Sequence, residues 1–212
     1  TASAQEQSRE QELFFVAQKT FDDGFYDVAI RYIEQFFHQF PASSRYSQAR
    51  LLLGQCYFFK NQYLKALELF QSVQHDPAVK DAAAYWLGEA YFKGGDYRQA
   101  RTFYARVIDD HPDSEYIPQA YYSLGWASFS QGDYPQAVEY FKTLAETYPG
   151  HGLSEDALFK TGEAYLNMSR YDHAIEVFEK YTAQNPKSPR LANAFFYLGE
   201  SCYYTNDLLK AN

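Results

Sequence analysis

Basic charge and long apolar runs are what this chain has least of. No apolar stretch approaches the ~20 residues that a helix needs to cross a bilayer. Lys and Arg number 19 against 27 Asp and Glu, a net charge of −8 without any basic cluster. Phosphate contacts from Lys and Arg dominate nucleic-acid affinity, so nucleic acid is not an expected partner. An anionic membrane surface is disfavoured on the same grounds. Cysteine is scarce, with Cys56 and Cys202 alone. None of the five histidines, His38, His75, His111, His151 and His173, shares a metal-ligand spacing with Cys, Asp or another His. The triplet Asp109-Asp110-His111 reads as a solvated helix end. A phosphate loop, a nucleophile elbow and a Cys/His pair are all missing. No enzyme chemistry, metal or cofactor is therefore expected of these residues.

What the chain has is a ladder. Gly54, Gly88, Gly125, Gly162 and Gly199 are separated by 34, 37, 37 and 37 residues. Ala66, Ala100, Ala137, Ala174 and Ala211 each follow a glycine by 12 residues. A period in this range marks stacked repeats. Each glycine lies in an apolar stretch of helical spacing, such as Ala84, Leu87, Gly88 and Tyr91, where it costs about 1 kcal/mol against alanine. Five such costs in register imply a second helix too close for a side chain, with the paired alanine as its contact. Short turns such as Gly94-Gly95-Asp96, Gln131-Gly132-Asp133 and Met168-Ser169-Arg170 separate the two, so each unit is a helical hairpin.

Other positions keep the register. Ala49, Ala83, Ala120, Ala157 and Ala194 each precede a glycine by five residues. Tyr26, Tyr63, Tyr97, Tyr134, Tyr171 and Leu208 follow the turns. Pro41, Pro77, Pro112, Pro149 and Pro186 close the second helices, because proline lacks the N–H that would continue them. In the first repeat Ala17 replaces the glycine, as expected of a terminal unit.

These residues resemble the tetratricopeptide repeat, through its Leu-Gly…Tyr…Ala…Phe…Pro pattern, here Leu87-Gly88, Tyr91, Ala100, Tyr104 and Pro112. Departures are Ser128 and Cys202 at the usual tyrosine, and Ile33. The resemblance implies an all-α fold, a right-handed solenoid of stacked antiparallel hairpins with about five full repeats and a partial sixth. The expected repeats are 10–46, 47–80, 81–117, 118–154, 155–191 and 192–212, read as one domain after a disordered tail at 1–9. Loops carrying Pro-x-Ser, namely Pro41-Ala42-Ser43, Pro112-Asp113-Ser114 and Pro186-Lys187-Ser188, resemble bacterial envelope proteins of the YbgF/CpoB and BamD type. The serine hydroxyl is expected to cap a turn or the next helix. Pro149-Gly150-His151 lacks the serine, and the second loop is shorter.

The resemblance places the first helices on a concave binding face. Residues expected there are Phe59, Tyr85, Trp86, Glu89, Phe92, Tyr122, Trp126, Phe129, Phe159 and Glu163. Aromatic side chains offer large rigid contact area, and the same rings also suit packing between repeats. Trp126 is singled out because Gln55, Glu89, Glu163 and Glu200 hold its position elsewhere, which implies exposure. The Lys, Asn and Arg clamp with which some tetratricopeptide co-chaperones hold a carboxylate is missing. The expected partner is a protein or peptide segment, neutral, aromatic or basic rather than acidic, bound by a non-catalytic scaffold. A structural or oligomerisation module, or the regulatory arm of a longer protein, is the alternative.

The ends carry their own expectations. Ala2-Ser3-Ala4 fits the small-residue pattern left by a removed export signal, and equally a polar tail. Together with the loops it points to the bacterial periplasm, with the cytoplasm as the alternative. After Ala211 the sixth second helix has barely begun, so the sequence reads as a piece of a longer protein whose exposed end would stack on another copy. Cys56 and Cys202, four repeats apart, read as buried thiols beyond disulfide reach.

Overall fold

The computed structural model describes the backbone of residues 2–205 and the side chains of residues 5–205. Eleven helices occupy the described residues: α1 (Ala2–Asp22), α2 (Tyr26–Gln39), α3 (Tyr46–Phe59), α4 (Tyr63–Val73), α5 (Lys80–Lys93), α6 (Tyr97–Asp110), α7 (Ile117–Ser130), α8 (Tyr134–Thr147), α9 (Ser154–Asn167), α10 (Tyr171–Gln184) and α11 (Leu191–Tyr204). No strand occurs among them. The chain divides into two compact units, Thr1–Ser114 and Glu115–Asn212. The first holds the hairpins α1/α2, α3/α4 and α5/α6. The second holds α7/α8 and α9/α10, then α11. Leu208 and Ala211, last members of their ladders, lie outside the described residues. The tail expected at 1–9 is not a tail here, since α1 already runs from Ala2.

The hairpin core explains the glycines, and it corrects one expectation. What sits on each glycine is not the paired alanine but an aromatic ring from the second helix, sixteen residues later. A Cβ added to Gly54, Gly88, Gly125 or Gly162 would lie 2.5, 2.4, 2.5 or 2.5 Å from the rings of Phe70, Tyr104, Phe141 and Phe178 respectively. All four rings are fully buried. Packed interiors leave such a ring nowhere to retreat. The first repeat shows the complementary solution. Ala17 replaces the glycine, Ile33 replaces the ring, and both are buried in one cluster. The paired alanines, buried throughout Ala29, Ala66, Ala100, Ala137 and Ala174, line the same core.

The turns are equally regular. Gly24, Asn61, Gly95, Gly132 and Ser169 all have φ between 55° and 81°. Each stands two residues before the tyrosine that opens the second helix. Glycine adopts this left-handed conformation freely and asparagine tolerates it; serine does so at some cost. Asp96 and Asp133 then cap α6 and α8, accepting from Gln99 N and Gln136 N. The tyrosine packs on a ring in the last turn of the first helix. Phe21–Tyr26, Phe58–Tyr63, Phe92–Tyr97 and Phe129–Tyr134 have centroids 5.7, 5.5, 5.2 and 5.1 Å apart.

The loops between hairpins hold a clasp that the residue pattern did not reveal. Ser43 donates to Glu10 at 2.5 Å, Ser114 to Asp81 at 2.7 Å, and Ser188 to Glu155 at 2.5 Å. Each pair spans 33 residues, tying a loop back to the start of its own repeat. In the second repeat the roles are exchanged, and Ser47 donates to Asp76 at 2.6 Å. In the fourth repeat both members are lost together, with Pro118 and His151 in their places. The loop residue also closes a local turn, as expected. Ser43, Asp76, His151 and Ser188 each accept from the backbone N–H two residues on.

Two outcomes test this core. Gly125→Ala should lower stability by about 1–3 kcal/mol despite the better helix former. Adding Phe141→Ile, in imitation of Ala17 and Ile33, should recover part of that loss, so urea unfolding of both singles and the double should show coupling of about 1 kcal/mol or more. Hydrogen bonds from Ser188 and Tyr181, with the Arg190 charge, hold the Glu155 carboxyl below its usual range. A depressed folded value stabilises the protein above the unfolded carboxylate range and is lost as the pH falls through the folded value. Ser188→Ala should therefore lower the urea midpoint by more at about pH 7 than at acid pH, where Glu155 is protonated and the turn hydrogen bond from Arg190 N is the part still lost.

Candidate functional site

In the first unit α1 touches α3 and α3 touches α5, so first helices adjoin one another. Their last turns gather a ring cluster. Phe59 at the end of α3 lies 5.7 Å from Phe21, 5.8 Å from Trp86, and stacks on Tyr26 at 5.3 Å with 9° between planes. Phe59 remains 44% exposed. Trp86 on α5 packs against Phe58, Phe70 and Tyr85 and is half-buried. Its indole N–H is buried without a hydrogen-bond partner. Tyr85 is half-buried against Tyr104. Glu89 accepts a hydrogen bond from Tyr104 Oη at 2.8 Å, so it anchors the ring that fills the Gly88 contact. Phe92 holds Tyr97 and works within the turn.

In the second unit Tyr122, Trp126 and Phe129 run along α7, successive centroids 6.4 and 5.9 Å apart. All three are half-buried. Trp126 is not the open position that the register implied. The Lys160 ammonium, on α9, lies 4.6 Å from its ring and 2.5 Å from Glu163. Those two charged side chains are only 15% and 19% exposed. Phe159 is a correction: it is 3% exposed and packs on Phe178, Tyr181 and Tyr197, so it belongs to the core. The Arg190 guanidinium covers it and pairs with Asp156, which also accepts from Tyr122 Oη.

Residue 59 was the more telling departure. Its register partners are Asp22, Lys93, Ser130, Asn167 and Tyr204, all exposed. An aromatic ring at a position that stays exposed in every repeat is the signal of a free ring. The Trp126 position, by contrast, is half-buried in all six repeats, including Gln18, Gln55, Glu89, Glu163 and Glu200. Of its polar residues, Gln18, Glu89 and Glu163 are hydrogen-bonded within the chain. Cys56 and Cys202 are buried, and burial pushes the Cys56 thiol up to about 12. Among the described residues no three His, Cys, Asp or Glu are grouped to hold a metal ion, and no helix is long and apolar enough to cross a membrane.

Hairpins repeated at this period, ring on glycine, define a class of helical repeat proteins, and comparisons narrow it. Two family models described as tetratricopeptide repeat match residues 87–152 and 128–194. A model described as anaphase-promoting complex, cyclosome, subunit 3 matches residues 22–107. No curated relative matches by sequence. Among solved structures, MamA protein is 24% identical over 84% of this chain and 92% of its own, with a TM-score of 0.68. Pseudomonas aeruginosa pilF is 14% identical over 97% and 88%, with a TM-score of 0.75. The TPR-like repeats of a putative kinesin light chain from Podosopora anserina are 18% identical over 86% and 98%, with a TM-score of 0.67. The chain has the tetratricopeptide-repeat fold, and its residues 87–194 match models of that family. That is the fold of protein-interaction scaffolds.

The cover over Trp126 can be lifted. A cation over a desolvated ring contributes about 0.5–2 kcal/mol. Lys160→Met removes it and leaves Glu163 without its counter-charge. The expected result is a lower melting temperature and a red-shifted tryptophan emission, while Lys160→Arg keeps both close to the parent.

Proposed function

We propose that this chain is a non-catalytic scaffold that binds a protein segment on the aromatic face of its first helices. The observation that carries the reading is Phe59, an exposed ring held rigidly by Phe21, Tyr26 and Trp86. Rigid aromatic area costs little entropy on binding, which is why such rings dominate interaction hot spots. Asp27, whose side chain is 80% exposed, pairs with Lys60, the residue after Phe59, and the net charge of −8 favours a basic over an acidic partner segment. A partner with an aromatic or aliphatic anchor and a neighbouring basic residue fits that chemistry. The Pro-x-Ser loops favour the bacterial cell envelope as the compartment.

A second reading rests on α11, where Phe195, Phe196, Tyr203 and Tyr204 are 55%, 66%, 66% and 54% exposed. This face favours self-association. Sedimentation of the parent and Phe196→Ser over a range of concentrations separates it from hetero-partner binding.

The deciding experiment is capture from bacterial envelope and cytosolic extracts with the parent, Phe59→Ser and Tyr85→Ala/Trp126→Ala, with helicity and melting followed in parallel. A partner recovered from the envelope extract and lost with Phe59→Ser, the fold being intact, is the expected result. Equal recovery by all three proteins would place binding elsewhere, and recovery from cytosol alone would remove the envelope reading.

A further inference from the structure

A cleft of about 530 Å³ opens in the second unit where α8, the following loop, α9 and α10 meet. Its size is within the range of ordinary ligand pockets. Ala145 and Leu158 form an apolar side, with Glu146, Glu155 and Lys180 around it. A smaller cleft of about 230 Å³ shares Ala145, Glu146, Leu158 and Lys180 and continues to Thr161 and Tyr165.

The repeat register shows why this space is open. Ala145, Ser154 and Leu158 stand where the first junction has Phe37, Tyr46 and Arg50. There the chain fills the equivalent volume itself. The rings of Phe37 and Tyr46 are 4.6 Å apart, and the Arg50 guanidinium lies 5.2 Å from the Tyr46 ring. Two aromatic rings and one cation are thus replaced by a methyl, a hydroxymethyl and an isobutyl group. Ser154 does not reach into the space for a partner, since it donates to the Tyr148 carbonyl. Local charge completes the contrast. Along the two clefts lie the carboxylates of Glu146, Glu155 and Glu176 and the ammonium groups of Lys142 and Lys180, with the Arg190 charge already acting on Glu155. Lys142 reaches Glu146 only at 4.0 Å, and the Glu146 side chain is 52% exposed.

We infer that the α8–α10 cleft receives an aromatic side chain, with an adjoining basic residue, from a partner protein. The inserted ring takes the place that Phe37 and Tyr46 fill in the first junction. The basic group takes the place of Arg50, with Glu146 as its counter-charge. This site is built on α8, the loop after it, α9 and α10 in the second unit, whereas Phe59 belongs to the first.

The test titrates N-acetyl-tyrosyl-argininamide into the full chain and follows backbone amide shifts. Shifts at Ala145, Leu158 and Lys180 are expected, with binding of the tyrosyl-glutamate analogue several-fold weaker. Ala145→Phe introduces the residue that the first repeat carries there. It should weaken the probe roughly tenfold or more by filling the space, while helicity and melting stay at or above the parent. If that variant loses helicity, Ala145→Leu takes its place, with a smaller loss of binding expected. Phe59→Ser should leave the probe unaffected, so failure of this site and failure of the Phe59 face are distinguishable. Absence of shifts in the cleft at millimolar probe, undiminished binding to Ala145→Phe, or equal binding of the acidic analogue would overturn the assignment.

Discussion

An aromatic ring laid on bare helix backbone is the contact on which each hairpin depends. Phe70, Tyr104, Phe141 and Phe178 are fully buried because Gly54, Gly88, Gly125 and Gly162 present no side chain to them. The glycine gives up helix propensity, roughly 1 kcal/mol, and the ring returns more through burial. Once that contact is made, the rotation of the first helix about its axis is set. Leu87 then faces the core, Trp86 lies along the edge, and Lys93 points to solvent. The proposed binding surface is in this sense a consequence of the glycine ladder, since whatever does not face the ring must face a neighbouring repeat or water.

Periodicity made the hairpins legible and left their chemistry partly hidden. The ladder of small residues, the turn positions and the closing prolines each have a backbone cause, so they recur at fixed spacing and can be found without coordinates. The identity of the group pressed on the glycine could not be read this way. Alanine and ring both recur in the second helix, and only packing shows which one arrives. The serine–carboxylate clasps were hidden for a different reason. Their partners are 33 residues apart, and the carboxylate alternates between Glu and Asp and once exchanges place with the hydroxyl. A pattern of residue types blurs across such changes, while the hydrogen bond survives them.

Trp126 and Phe59 show where a site can be misjudged. Both are aromatic at positions that are mostly polar in the other repeats, Tyr204 being the exception at the Phe59 position. A polar residue, however, marks an exposed position only when its partner is water. Glu89 is held by Tyr104 and Glu163 by Lys160, so the polarity at the Trp126 position reports internal bonds. Asp22, Lys93, Ser130 and Asn167 are exposed, so the polarity at the Phe59 position reports solvent. Phe159 failed for a related reason. Its register partners Phe14, Leu51, Tyr85, Tyr122 and Phe196 range from buried to exposed, and position alone carries no information about exposure there.

Departures from the register then fall into two kinds. Some are compensated within the same repeat. Ala17 comes with Ile33, Ser47 with Asp76, and Pro118 with His151, so that each loss on one side is answered on the other. Such pairs are what a chain consistent across its levels of structure should contain. Other departures find no answer. Phe59 exposes a ring where solvent-facing groups stand, and Ala145, Ser154 and Leu158 vacate a space that Phe37, Tyr46 and Arg50 fill elsewhere. An exposed ring and an open cleft with Ala145 and Leu158 on its wall both forgo burial that the same chain achieves at equivalent positions. The missing burial would have to be supplied from outside the chain, which is why a partner is proposed at the uncompensated departures rather than at the aromatic positions as a whole.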